Sequence, residues 1–165
     1  MRAFEPSGDG GVRAVFEPVE AALLAQLAGQ VAGLLEEQRG GTAADLAILR
    51  LLPDAYPDDR EASAEFRRFT ADELTEKKLH NARILIADCA EVADADMPST
   101  IRLDAASIGA WLRSLTDVRL VLATRLGITD DGDVGPDDDE EALMLTDVYD
   151  WLGFVQDSLV SALED

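Results

Sequence analysis

The sequence predicts a mainly α fold: a single helical domain with a small two- or three-stranded β-sheet. Three observations carry this reading. Leu, Val and Trp recur at three- and four-residue spacing through four long stretches, the period of a helix with one buried face. Strand-like alternation is confined to two short stretches, residues 12–17 and 99–103. Gly, Pro and Asp cluster between these stretches rather than within them. At 165 residues one domain over residues 1–165 buries roughly 70% of its foldable surface, so neither a disulfide nor a metal is needed to hold it.

In chain order, an N-terminal hairpin comes first. Arg2–Glu5 forms one strand, the turn-rich "PSGDGG" from Pro6 to Gly11 reverses the chain, and Val12, Ala14 and Phe16 alternate with Arg13, Val15 and Glu17 in the second strand. Pro18 suits the first turn of a helix, and Glu20 lies near the positive end of its dipole. Leu23, Leu24, Leu27, Val31, Leu34 and Leu35 then mark a core helix that stops at Gly40-Gly41. A shorter amphipathic segment runs from Thr42 to Leu52, and "PDAYPDD" through Asp59 connects it to the next helix.

That helix is expected over residues 59–69, ending in "EFRRFT", with Arg67 and Arg68 at its negative end. Thr70-Ala-Asp-Glu73 matches a capping box, which predicts a fresh helix from Ala71 to Val92 with Leu79, Ala82, Leu85, Ile86, Cys89 and Val92 on its apolar face. On this reading Phe66 and Phe69 anchor the core, and Arg67 and Arg68 either pair with local acids or contact a partner. "DADMPST" breaks the helix, and Ile101 and Leu103 alternate in a third strand, Ser99–Leu103, placed beside the hairpin. Asp104 is the N-cap of a helix reaching Leu126, closed by Gly127. Residues 129–139 form an acidic linker to a last helix over residues 140–163, and the two tryptophan helices are expected to pack together.

Charge and motifs narrow the chemistry. The chain carries 34 Asp and Glu against 14 Lys and Arg, a net charge of −20. Direct nucleic-acid binding, which needs cations against phosphates, is therefore disfavoured, and so is an anionic membrane. The N-terminus lacks the apolar core of a signal peptide, and no apolar run is read as approaching the roughly 20 residues of a membrane span, so a cytoplasmic location is expected. "TDDGDVGPDDDEE" fails as a calcium loop: a start at Asp131 puts Pro136 sixth and Ala142 twelfth, and a start at Asp130 puts Gly132 at a ligand position. His80 is the only histidine, so no histidine cluster for zinc can form; it is expected to face solvent beside Glu76. No nucleophile elbow, phosphate loop or dinucleotide fingerprint is present. No metal, cofactor or catalytic residue is assigned, and a non-enzymatic role is expected.

Two residues remain as candidates. Cys89, the single cysteine, falls on the apolar face of its helix, where a thiol acts as a small hydrophobe, and is a weak redox candidate. Arg119 lies close to the stripe of Trp111, Leu115, Val118 and Leu122 and needs a carboxylate; Asp147 and Asp150 are the expected partners in a structural ion pair, with Asp117 a local alternative.

The ordered phrases "FEPVEAALL", "LLPDAYPDD", "EFRRFTADEL", "WLRSLTDVRLVLATRLGI" and "VYDWLGFVQDSLVSAL" span nearly the whole chain. Together they resemble an actinobacterial domain-of-unknown-function family described as oxidative-stress regulators of the AosR type. The resemblance implies action on transcription through a protein partner such as a sigma factor. Its members' usual neighbourhood with the ClpS adaptor implies, as an alternative, a partner in the Clp proteolytic system; an uncharacterised enzyme is a third reading. One cysteine departs from any paired-cysteine redox mechanism. Homo-oligomerisation stays open.

Overall fold

In the computed structural model, residues 1–39, 45–53, 60–128 and 140–164 are described; for Arg39 and residues 60–69 the description covers the backbone alone. The elements are β1 (Glu5–Pro6), β2 (Val12–Phe16), α1 (Pro18–Arg39), α2 (Leu46–Leu51), α3 (Arg60–Ala93), β3 (Ser99–Leu103), α4 (Ala105–Arg125) and α5 (Glu140–Ser161). The fold is mainly helical with one small sheet, as the hydrophobic periods predict.

The sheet is antiparallel in the order β1-β2-β3. Alternation along β2 buries Val12, Ala14 and Phe16, and pairing sets Val12 opposite Leu103 and Ala14 opposite Ile101, so β2 and β3 present one continuous apolar face. On the other face Arg13 stands opposite Arg102, a like-charge pair, while Glu5 on the other flank reaches Arg13 at 3.6 Å. The first strand is shorter and later than expected. Arg2 still donates its backbone N–H to Val15 O at 2.9 Å, and Ser7 N–H donates to Gly11 O to close the hairpin. Pro6 fits because β1 is an edge strand. Gly11 is required here, since a Cβ would come within 2.5 Å of Leu103 O.

The apolar face of the sheet meets Trp111 of α4. Its ring is fully buried and packs edge-on to Phe4 at 6.0 Å and tilted against Phe16 at 6.1 Å. Its Nε1–H donates to Asp88 Oδ2 on α3 at 2.8 Å, so one side chain ties the sheet to two helices. α3 also packs along α1, and α4 meets α2 and α5. Ala21, Leu24, Ala28, Val31 and Leu35 of α1 are buried in the same core. Residues 18–38 of α1 are nonetheless long and apolar enough, by length and composition, to cross a membrane, which corrects the expectation that no run approaches that length.

Local chemistry sets the helix ends. Glu20 Oε2 accepts from Glu17 N–H at 2.8 Å, the returning half of a capping box at the start of α1. Asp104 caps α4 as expected, accepting from Ser107 N–H at 2.8 Å. At the other end Gly127 takes a positive φ of 70°, Ile128 N–H reaches back to Ala123 O and Gly127 N–H to Thr124 O, the two bonds of a Schellman motif. Arg50 of α2 donates to Thr124 Oγ1 at 3.1 Å and Ile128 O at 3.2 Å, clipping the short helix to that terminus.

One boundary is corrected. The helix break expected at Thr70 does not occur; α3 runs unbroken from Arg60 to Ala93. The stretch contains no Gly or Pro, and a cap forms only where the backbone leaves the helical region, so a capping-box sequence inside an uninterrupted helix has no terminus to serve. Glu73 instead pairs with Lys77 one turn on, at 2.8 Å. The acidic linker assigned to residues 129–139 lies outside the described residues, as do the side chains of Phe66 and Phe69. Ala71→Pro separates the two readings. At the first position of a new helix proline is tolerated, whereas inside α3 it should cost about 3 kcal/mol or more, read as a fall in the urea-unfolding midpoint at unchanged slope.

Candidate functional site

Where α3 and α4 run together and the later turns of α5 reach them, a groove of about 820 Å³ opens. Helical spacing builds it: Leu74, Lys77, Lys78 and Asn81 recur along one face of α3, and Leu112, Arg113, Thr116 and Asp117 along one face of α4. Gln156 of α5 closes one side. Both lysines of the chain are therefore on one wall of one groove.

Lys78 Nζ meets Asp117 Oδ1 at 2.6 Å, and both side chains are largely withdrawn from water. Burial raises the Asp117 carboxyl above its ordinary value, and the hydrogen bond and charge of Lys78 only partly offset this. The pair joins residues 39 apart in sequence. Its only sequence signal is a carboxylate one position before the stripe residue Val118, and a lysine one position before Leu79, each of which a helix carries towards its buried side.

A second polar chain joins α4 to α5. Gln156 Nε2 donates to Thr116 Oγ1 at 2.8 Å, and Gln156 Oε1 accepts from Arg119 Nη1 at 2.9 Å. The Arg119 guanidinium also lies 4.8 Å from the centre of the Tyr149 ring, a cation–π contact, and its Nε is buried without a hydrogen-bond partner. This corrects the expected ion pair. Tyr149 and Gln156, seven residues apart, share the face of α5 turned to Arg119, whereas Asp147 and Asp150 point to solvent on other sides of the helix. Asp117, the local alternative, is held by Lys78.

The remaining candidates divide plainly. The side chains of Arg67 and Arg68 are outside the description, but their backbone is mid-helix, so they do not sit at a helix end. Cys89 is fully buried, and burial, reinforced by the Asp88 charge, pushes its thiol up to about 12. His80 is exposed. Among the described residues no group of three or more His, Cys, Asp and Glu side chains could hold a metal. A smaller cavity of about 390 Å³ beside the hairpin turn contains Asp9, Asp88 and Asp104. Each is already engaged: Asp9 by Ser7 and the Gly11 amide, Asp88 by Trp111, and Asp104 by Ser107.

In the groove, Thr116 donates to Leu112 O and accepts from Gln156, while Asp117 is neutralised by Lys78. Arg113 donates one N–H to Gly109 O at 3.0 Å and makes no other hydrogen bond among the described residues, beside half-buried Leu112 and exposed Leu74. This sets a cationic fork next to apolar carbon.

The buried pair generates a double-mutant test. Lys78→Met or Asp117→Leu alone leaves one charge stranded and should cost about 3 kcal/mol, while the double variant should recover most of that loss. Because the folded state holds the Asp117 proton to higher pH than the unfolded chain does, this group makes stability fall as pH rises above 3.8, its ordinary value. Asp117→Asn should flatten that part of a stability–pH curve measured by denaturant unfolding.

Comparison with known proteins places this chain in a family. A family model described as a domain of unknown function, DUF2017, matches residues 1–163. The chain is 30% identical to an AosR protein of Mycobacterium leprae, over 92% of this chain and 82% of that protein. It is 27% identical to the oxidative stress regulator AosR of Mycobacterium tuberculosis H37Rv, over 92% and 81% respectively. No solved structure matches. With nearly its whole length covered by one family model, the chain belongs to the DUF2017 family and is homologous to the mycobacterial AosR oxidative stress regulators.

Proposed function

We propose that this protein is a cytoplasmic regulator in an oxidative-stress response that works by binding a protein partner, and that it does not sense oxidant through a thiol of its own. The relatives' names supply the stress-regulatory role. The observation that carries the rest is Cys89. A thiol at 0% exposure whose pKa stands at about 12 offers neither the thiolate nor the access that oxidation requires, and it is the chain's only cysteine. A redox signal must then reach the protein through what it binds. The transcription machinery, a sigma factor in particular, is the partner class in view, and a net charge of −20 favours a protein surface over nucleic acid for that contact. The α3–α4 groove is the proposed seat for part of it.

Two measurements test this. Native protein should leave Cys89 unmodified by an aromatic disulfide reagent on the timescale in which denatured protein reacts fully, and Cys89→Ala should support peroxide survival as the parent does. Rapid native labelling, or a folded Cys89→Ala protein that fails in the cell, would put the sensor back on this thiol. Crosslinked capture from the native cell should bring down RNA polymerase or a sigma factor; Clp components would favour the adaptor reading instead, and a retained metabolite with no protein would favour an enzyme. The capture should weaken in Arg113→Glu and persist in the Arg67→Ala, Arg68→Ala double variant unless "EFRRFT" makes the contact.

A further inference from the structure

The outward side of α5 combines exposed large apolar side chains with carboxylates. Leu143 is 53% exposed, Met144 64% and Phe154 48%. Between and around them stand the exposed carboxylates of Asp147, Asp150 and Asp157, and α5 contains no Lys or Arg at all. Among the described residues no cation pairs with these acids. They include the two carboxylates that the sequence alone assigns to Arg119; since the guanidinium turns to Gln156 and Tyr149 instead, both are left facing water.

Their order matters more than their number. Leu143, Asp147, Asp150, Phe154 and Asp157 follow one another at intervals of four, three, four and three, the spacing of the contact line between two paired helices. Leu143 and Phe154 lie about 16 Å apart along the axis, about three turns of a facing helix. Single exposed apolar residues are ordinary on any surface; two large ones on one helical line, with unpaired acids between them, are a pattern with a complement.

We propose that this face of α5 docks a cationic amphipathic helix of a partner protein, with apolar side chains set against Leu143 and Phe154 and Lys or Arg side chains against Asp147, Asp150 and Asp157. Charge decides the occupant. A second copy of this chain would bring α5 carboxylates against α5 carboxylates in a two-fold pairing, on top of the repulsion between two bodies of charge −20. An acidic segment is excluded on the same ground. A basic helix relieves both the unpaired acids and the exposed apolar line, and long-range attraction speeds its encounter. This partner class deepens the contact reading above. Binding is measured here on purified protein with a synthetic probe, so its failure would leave the Cys89→Ala survival result standing.

The probe is a labelled peptide of about 18 residues in which Leu and Lys share the helix-pairing positions, Leu where it faces Leu143 and Phe154 and Lys where it faces Asp147, Asp150 and Asp157, titrated with the full chain by fluorescence anisotropy. It should bind, and raising salt should weaken it. The Asp147→Lys, Asp150→Lys double variant should lower affinity about tenfold or more, and Leu143→Ser, Phe154→Ser should do the same, with helical circular dichroism unchanged in both. A peptide with Glu for Lys should not bind. Equal binding of a scrambled peptide of identical composition would reduce the effect to bulk charge and overturn the proposal. So would unchanged affinity in both variants, or a dimer in sedimentation that Phe154→Ser, Leu143→Ser splits into monomers.

Discussion

One indole ring sets the relation between the sheet and the helices. Trp111 is fully enclosed, packs against Phe4, just before β1, and Phe16 of β2, and satisfies its N–H on Asp88 of α3. Burying so large a ring brings the sheet and two helices together, and the hydrogen bond to a carboxylate fixes where along α3 the contact is made. β3 enters α4 through Asp104, two turns before the ring, and α4 then carries Leu115, Val118 and Leu122 into the core on the period that Trp111 begins.

The groove depends on the same joint. The Trp111–Asp88 bond holds α3 and α4 side by side, and Lys78–Asp117 joins them again further along. Two polar ties between the same helices fix their register as well as their proximity. The α4–α5 joint uses neutral amide, hydroxyl and ring contacts around Arg119 instead of an ion pair. The acids of α5 are thereby left on the surface. Cys89, one residue from Asp88, lies inside the α3 packing and belongs to the fold's interior rather than to any surface chemistry.

Much of this was legible in the sequence because it rests on periodicity. Val12, Ala14 and Phe16 announced a half-buried strand, Asp104 before a helical stripe announced a cap, and Gly127 announced a helix end; each signal is local, and local geometry sets the outcome. The errors have one physical form. Thr70 to Glu73 carries the side chains of a cap, but capping follows from a backbone that has already left the helix, and nothing between Arg60 and Ala93 makes it leave. By residue type Arg119 points to Asp147 and Asp150 on the other tryptophan helix, whereas the face that α5 turns towards α4 holds Tyr149 and Gln156. Lys78 and Asp117 meet only because two helices are docked at one register, which no local pattern encodes. The regulatory class was legible in the ordered phrases of the family, not in the chemistry of any single residue.

The Trp111 joint is expected to make sheet, α3 and α4 one cooperative unit. Trp111→Phe tests it most directly, because a phenyl ring keeps part of the packing but cannot donate to Asp88. Urea unfolding followed by far-ultraviolet circular dichroism should show a loss of about 3 kcal/mol in a single transition, combining lost ring volume with a carboxylate deprived of its donor. A loss below about 1 kcal/mol would contradict the account and place the organising contact elsewhere in the core.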